Sequence, residues 1–179
     1  MFKKYRNKEK NVFNGLLDEN GIAYSKEEIK EIVDVYRNHV PKITFFDDVK
    51  PTISLLKEKG VFTGIISDGY RETQKNKLTV LNANEFFDKM ILTEELGREY
   101  WKPNPKAFEI MQNEFGLNYC EMMYVGDNPQ KDFFIKKYYP IRTVRIIREN
   151  SIYENQIYLS DIKEDVRIEK LTDILDYLK

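Results

Sequence analysis

The chain has 179 residues, 41% of them hydrophobic and 33% charged, with a formal net charge of -1, which is enough for one sizeable core and a small appendage. Acidic and basic residues are interspersed, so no polybasic stripe points to nucleic acid, and no apolar run nears the roughly 20 residues needed to span a bilayer. Cys120 is the sole cysteine and His39 the sole histidine, which excludes an intrachain disulfide and leaves triad and multi-histidine metal chemistry without material. A soluble, cytoplasmic protein is expected, with no membrane association and with the Cys120 thiol used for packing beside a strand.

The first predicted element is a short helix from about Glu9 to Asn20, stopped near Gly21. Ser25-Lys26-Glu27-Glu28 is a capping box that opens a second helix. Its stripe is Ile29, Ile32, Val33, Tyr36 and Val40, and Pro41 ends it. A brief extended segment spans Ile43 to Phe46. Pro51 and Gly60 then bracket a helix carrying Ile53, Leu55 and Leu56.

From Val61 the pattern becomes strand, turn, helix, repeated. Val61 to Ile66 reads as a buried strand breaking into Ser67-Asp68-Gly69, with a helix through Leu78 and Leu81 behind it. Met90-Ile91-Leu92 is a second strand, and a helix from Pro105 to the Gly116 stop carries Phe108, Met111 and Phe115. Met122 to Val125 is a strand with no alternation, as suits a parallel strand covered on both faces. Gly126 turns the chain, and a helix holding Asp132 is expected next. A strand at Thr143 to Ile147, a short one at Val166 to Ile168, and a helix with Leu171, Ile174, Leu175 and Leu178 close the chain. Strands alternating with helices predict an α/β, Rossmann-like, doubly wound parallel sheet with right-handed crossovers. The helical pair forms a separate lobe, giving residues 1–45 and a core over 46–179.

Three features fall at the carboxyl edge of such a sheet, where ligands of open α/β folds bind. The loop Ser67, Asp68, Gly69 offers a hydroxyl and backbone amides to phosphate oxygens. Lys102, in Trp101-Lys102-Pro103-Asn104-Pro105, adds a point charge. Asp127 and Asp132 suit one hard cation such as Mg²⁺. Each feature alone has a plainer reading: a helix cap at Ser67, a surface lysine at Lys102, a capped strand-to-helix connection at Gly126-Asp127. Together they suit phosphoryl transfer. Trp101 reads as packing, and Arg37, His39 and Arg71 are weaker candidates for facing an anionic ligand.

On these residues the sequence resembles the haloacid dehalogenase superfamily, most closely its phosphatase-like members with a helical cap. The resemblance implies that Ser67 binds the phosphoryl group, that Lys102 stabilises charge on nucleophile and phosphate, and that Asp127 with Asp132, in Gly-Asp-x-x-x-x-Asp, holds Mg²⁺. It also implies a first motif, an apolar strand ending Asp-x-Asp that supplies nucleophile and general acid/base, and this chain has none. Asp47 and Asp48 are adjacent rather than two apart, and they lie where the cap rejoins the core. In the family that strand lies between those ending at Ser67 and Asp127, so here the two either pair directly, closing the site, or leave two open inner edges. Three accounts follow: a fragment of a longer phosphatase, a diverged protein that closed the gap, or a subunit completed by another chain through strand donation or self-association. The expected lineage is Mg²⁺-dependent hydrolysis of a small phosphorylated metabolite, by a chain inactive alone, with residues 1–45 as a partial cap. The alternative is a non-catalytic module that binds a phosphorylated ligand or partner. A dehalogenase is the lesser enzyme reading, because carbon–halogen cleavage needs no metal.

Overall fold

The computed structural model describes residues 12–178, and the chain divides into two compact units, Met1–Val40 and Pro41–Lys179. The first unit holds α1 (Val12–Glu19) and α2 (Lys26–Asn38). Ser25 caps α2 as its sequence requires: its hydroxyl accepts from the Glu28 amide at 3.1 Å and the Glu28 carboxylate accepts from the Ser25 amide at 2.7 Å. Neither helix buries a residue fully, and Tyr36 and Val40 of the predicted stripe stay exposed. The predicted residues Glu9 to Asn11 lie outside the described range.

The second unit opens with α3 (Val49–Glu58). Gly60, at φ +71°, follows its end, where the Val61 amide bonds back to Leu56 O at 2.9 Å. Next come β1 (Gly64–Ser67), α4 (Arg71–Val80), β2 (Lys89–Leu92), α5 (Lys106–Phe115), β3 (Met123–Gly126), β4 (Arg142–Ile146) and β5 (Val166–Ile168). All strand pairing among them is parallel, in the order the alternating pattern implies. The Val61 strand begins three residues late, because the Thr63 amide and hydroxyl are taken by the Asp88 carboxylate at 2.7 and 3.1 Å.

Two predicted helices are not α-helices. No helix carries Asp132: residues 127–133 are a turn, followed by one 3₁₀ segment, Phe134–Lys137. Side chains serve the loop's donors instead of helical carbonyls, Asp132 taking the amides of Asp127 and Asn128, and Asn128 that of Gln130. The C-terminal segment Leu171–Tyr177 is likewise 3₁₀. Cys120, read as packing, is exposed.

The strands form two sheets, β1-β2 and β3-β4-β5, and β1 does not pair with β3. The core is divided accordingly. Ile53 and Leu56 of α3 pack with Val144, Ile168 and Ile174; Ala107 and Met111 of α5 pack with Ile91; Phe108 packs with Ile135 and Ile141. Asp48, ahead of α3, is tied to residues just beyond the ends of β4 and β5. Both its carboxylate oxygens accept from Arg148 Nη2 at 2.9 Å, and Oδ2 also takes the Leu171 amide at 2.6 Å. No helix among the described residues is long and apolar enough to cross a membrane.

Candidate active site

The loops after β1, β2 and β3 meet across the gap between the sheets, joined by two ion pairs. Asp68 Oδ2 meets Lys131 Nζ at 2.7 Å, and Lys102 Nζ meets Asp132 Oδ1 at 3.0 Å. The Lys102 ammonium also donates to the Tyr124 hydroxyl at 2.6 Å and, at 3.5 Å, to Ile66 O. It thus touches β1, β3 and the Asp132 loop at once. Burial alone would lower its pKa, but Tyr124, Asp132 and Asp68 raise it well above that of a free lysine, so it stays charged.

The predicted phosphate loop is only partly directed outward. Asp68 is buried and saturated: Oδ1 accepts from the Thr93 hydroxyl at 2.9 Å and the Lys102 amide at 3.2 Å, and Oδ2 holds Lys131. Its carboxylate organises the site and is not turned to a ligand. The Ser67 hydroxyl donates to Gln74 Oε1 at 3.0 Å. Gly69 sits at φ +129°, and a Cβ there would lie 2.6 Å from Gln74 Nε2, so the Gln74 side chain lies directly over the loop.

Asp127 and Asp132 differ in kind. Asp132 Oδ1 accepts from Lys102 and, at 3.2 Å, from Tyr124; Oδ2 takes the amides of Asp127 and Asn128 at 3.2 and 2.8 Å. Burial opposes its ionisation, but Lys102 and the Asn128 amide outweigh that and lower its pKa. Asp127 is exposed at the loop's edge. Desolvation first, and then the neighbouring Asp132 charge, raise its pKa. No group of three His, Cys, Asp or Glu side chains gathers for a metal among the described residues. Mg²⁺ at phosphoryl-transfer sites takes one or two carboxylates and fills its remaining positions with water and phosphate oxygens. Asp127 fits as one such ligand, and Asp132 fits as the group that holds the Asp127 loop in place.

Tyr124, Lys131, Thr93 and Gln74 were not singled out in the sequence, yet they complete this network. A tyrosine in an otherwise apolar strand signals a buried hydroxyl in need of a partner, and Lys131 lies between the two aspartates already chosen. Gln74 and Thr93 carry no comparable signal.

Residues 1–146 match the model of the family described as haloacid dehalogenase-like hydrolase. The chain belongs to that family. Among curated relatives of this haloacid dehalogenase-like chain are two glyceraldehyde 3-phosphate phosphatases. That of Methanocaldococcus jannaschii is 29% identical over 94% of this chain and 78% of its own length. That of Methanopyrus kandleri is 32% identical over 75% of this chain and 56% of its own length, so the chain spans little more than half of that relative. Solved structures agree on the haloacid dehalogenase-like fold. One titled a predicted phosphoglycolate phosphatase, from Haemophilus somnus 129PT, aligns over 90% of this chain and 71% of its own at TM-score 0.69 and 22% identity. A phosphatase from Thermococcus onnurineus aligns over 92% and 69% at TM-score 0.63 and 23% identity.

Proposed function

We propose that the sheet edge is the phosphoryl-handling half of a phosphomonoester hydrolase acting on a small phosphorylated metabolite, and that it lacks its own nucleophile. The observation that supports this reading is the clamp across the gap, Lys102 to Asp132 and Lys131 to Asp68, made by residues close in sequence to Ser67 and Asp127. The curated relatives' names support the phosphatase class, and glyceraldehyde 3-phosphate marks the size of substrate.

In this reading the Ser67 hydroxyl and the loop amides bind phosphoryl oxygens, and Lys102 neutralises developing charge. Asp127 is the residue that would hold Mg²⁺, which when bound supplies charge neutralisation to the phosphate. Asp132 and Tyr124 keep Lys102 charged and in position. Asp68 and Asp132 each already hold a lysine, and Asp48 is held by Arg148. Among the described residues, none of these three is left to attack phosphorus as a free nucleophile.

The purified 179-residue protein is therefore expected to turn over a chromogenic phosphate ester in Mg²⁺ no faster than buffer. Robust turnover, lost in Asp127→Ala, would overturn the reading. The second reading, a non-catalytic phosphate-binding module, draws on the same missing nucleophile. Mg²⁺-dependent binding of inorganic phosphate without turnover in any reconstituted form would favour it.

A further inference from the structure

Gln74 stands seven residues after Ser67, one turn into α4, with its amide bonded to Tyr70 O at 3.0 Å. Helical side chains lean toward the helix N-terminus, so a long one at this position reaches back over the loop that precedes the helix. Gly69 lets it lie flat. A Cβ there would fall 2.6 Å from Gln74 Nε2 and 3.4 Å from Cδ, so the carboxamide rests on bare backbone. The Ser67 hydroxyl donates to Oε1 at 3.0 Å and so sets which way the carboxamide faces, oxygen toward Ser67 and nitrogen over Gly69. Two N–H groups are thereby held at the loop, and no described residue accepts from them.

Other donors near this loop are committed. The Arg71 amide at the start of α4 bonds to the Glu94 carboxylate, and the Lys102 amide bonds to Asp68. The Ser67 hydroxyl has one hydrogen, which serves either Gln74 or a ligand oxygen at any moment. The oxygens of a phosphate dianion only accept, so they need donors that are free. We propose that Gln74 is a further ligand-binding residue of the candidate site, its carboxamide N–H groups donating to a phosphoryl oxygen held over Gly69. The inference rests on the phosphoryl-handling reading of this sheet edge and adds to it a residue from the following helix. The contrary role, a side chain that merely occupies the Ser67 hydroxyl, would make Gln74 a competitor of the ligand. The two roles predict opposite signs when the carboxamide is removed.

The test is calorimetric titration of the 179-residue protein with inorganic phosphate in Mg²⁺, alongside Gln74→Met and Gln74→Glu. Methionine keeps the length and removes both polar atoms; glutamate keeps an acceptor for Ser67 and replaces the donors by a negative charge. Gln74 is half-buried, on a helix with no fully buried residue, so both variants are expected to fold, which their melting temperatures check. Gln74→Met is expected to weaken phosphate binding by about tenfold or more, the usual effect of losing a hydrogen bond to a charged group. Gln74→Glu is expected to weaken it further. Binding within about twofold of wild type in either variant would overturn the proposal. So would tighter binding by Gln74→Met, which would make Gln74 a competitor for Ser67. Absence of any phosphate binding by the wild-type protein would remove the phosphoryl-handling reading itself and the inference with it, whereas wild-type binding that is unchanged in Gln74→Met removes the inference alone.

Discussion

Lys102 keeps only 7% of its side chain exposed and Asp132 only 3%, so neither charge tolerates the loss of the other. Burying a lone carboxylate is far costlier than burying a matched pair. Lys102→Met is therefore expected to destabilise the protein by about 3–5 kcal/mol, and Lys102→Met combined with Asp132→Leu by much less than the two single changes summed. Urea denaturation of the three variants checks this, and a single-variant loss below about 1 kcal/mol would show that the pair is wetter than its geometry implies. Both residues were singled out in the sequence as site candidates. Their pairing was not, because sequence spacing cannot show that one carboxylate uses both oxygens inside the protein while its neighbour faces outward.

At the scale of elements, the turn after β3 depends on the absence of a side chain at Gly126. A Cβ there would lie 2.7–2.8 Å from Asp132 Oδ2, Cβ and Cγ, and Asp132 is pinned by Lys102, Tyr124 and two amides. At Gly64 a Cβ would meet Met111 Sδ and Cε, also at 2.7 Å, but these belong to the flexible end of a methionine that can move aside. Gly126→Ala should thus cost about 1–3 kcal/mol as an overpacking change, and Gly64→Ala clearly less. Thermal denaturation of the two variants side by side decides the matter; equal losses would mean that the Asp132 carboxylate yields as easily as Met111. The same pinning explains the missing helix at Asp132. The strand-turn-helix alternation pointed to one, but the aspartate and asparagine side chains capture the first amides and leave a turn.

For the whole molecule, acid stability follows from carboxylates on several elements. Burial raises the pKa values of Asp48, Asp132 and Asp165, but in each case partners outweigh it: the Leu171 amide and Arg148 for Asp48, Lys102 and the Asn128 amide for Asp132, Lys136 and Thr143 for Asp165. A carboxylate whose folded pKa is depressed contributes stability that is fully present above the unfolded value of about 3.9 and lost as pH falls through the folded one. Asp127 has the opposite sign: its raised pKa costs stability near neutrality and returns it on acidification, above about pH 4. The melting temperature is therefore expected to hold or rise slightly from pH 7 toward about 5 and to fall steeply below about 4. A steady fall between 7 and 5, followed by circular dichroism, would contradict these signs.

What the amino-acid sequence determined by itself was the succession of elements and the residues at the sheet's carboxyl edge. Alternating apolar runs and turn residues encode parallel strands locally, and Ser25, Gly60 and Gly116 mark helix boundaries through short-range geometry. That the given residues contain no Asp-x-Asp is read from the string alone. Only the tertiary structure decided what the molecule does with that absence. Whether β1 and β3 pair or stand apart depends on α3 and α5 packing from either face and on Lys102 bridging the strand ends, contacts between residues tens of positions apart that no local pattern contains. The outcome is an open slot with a charged, clamped mouth.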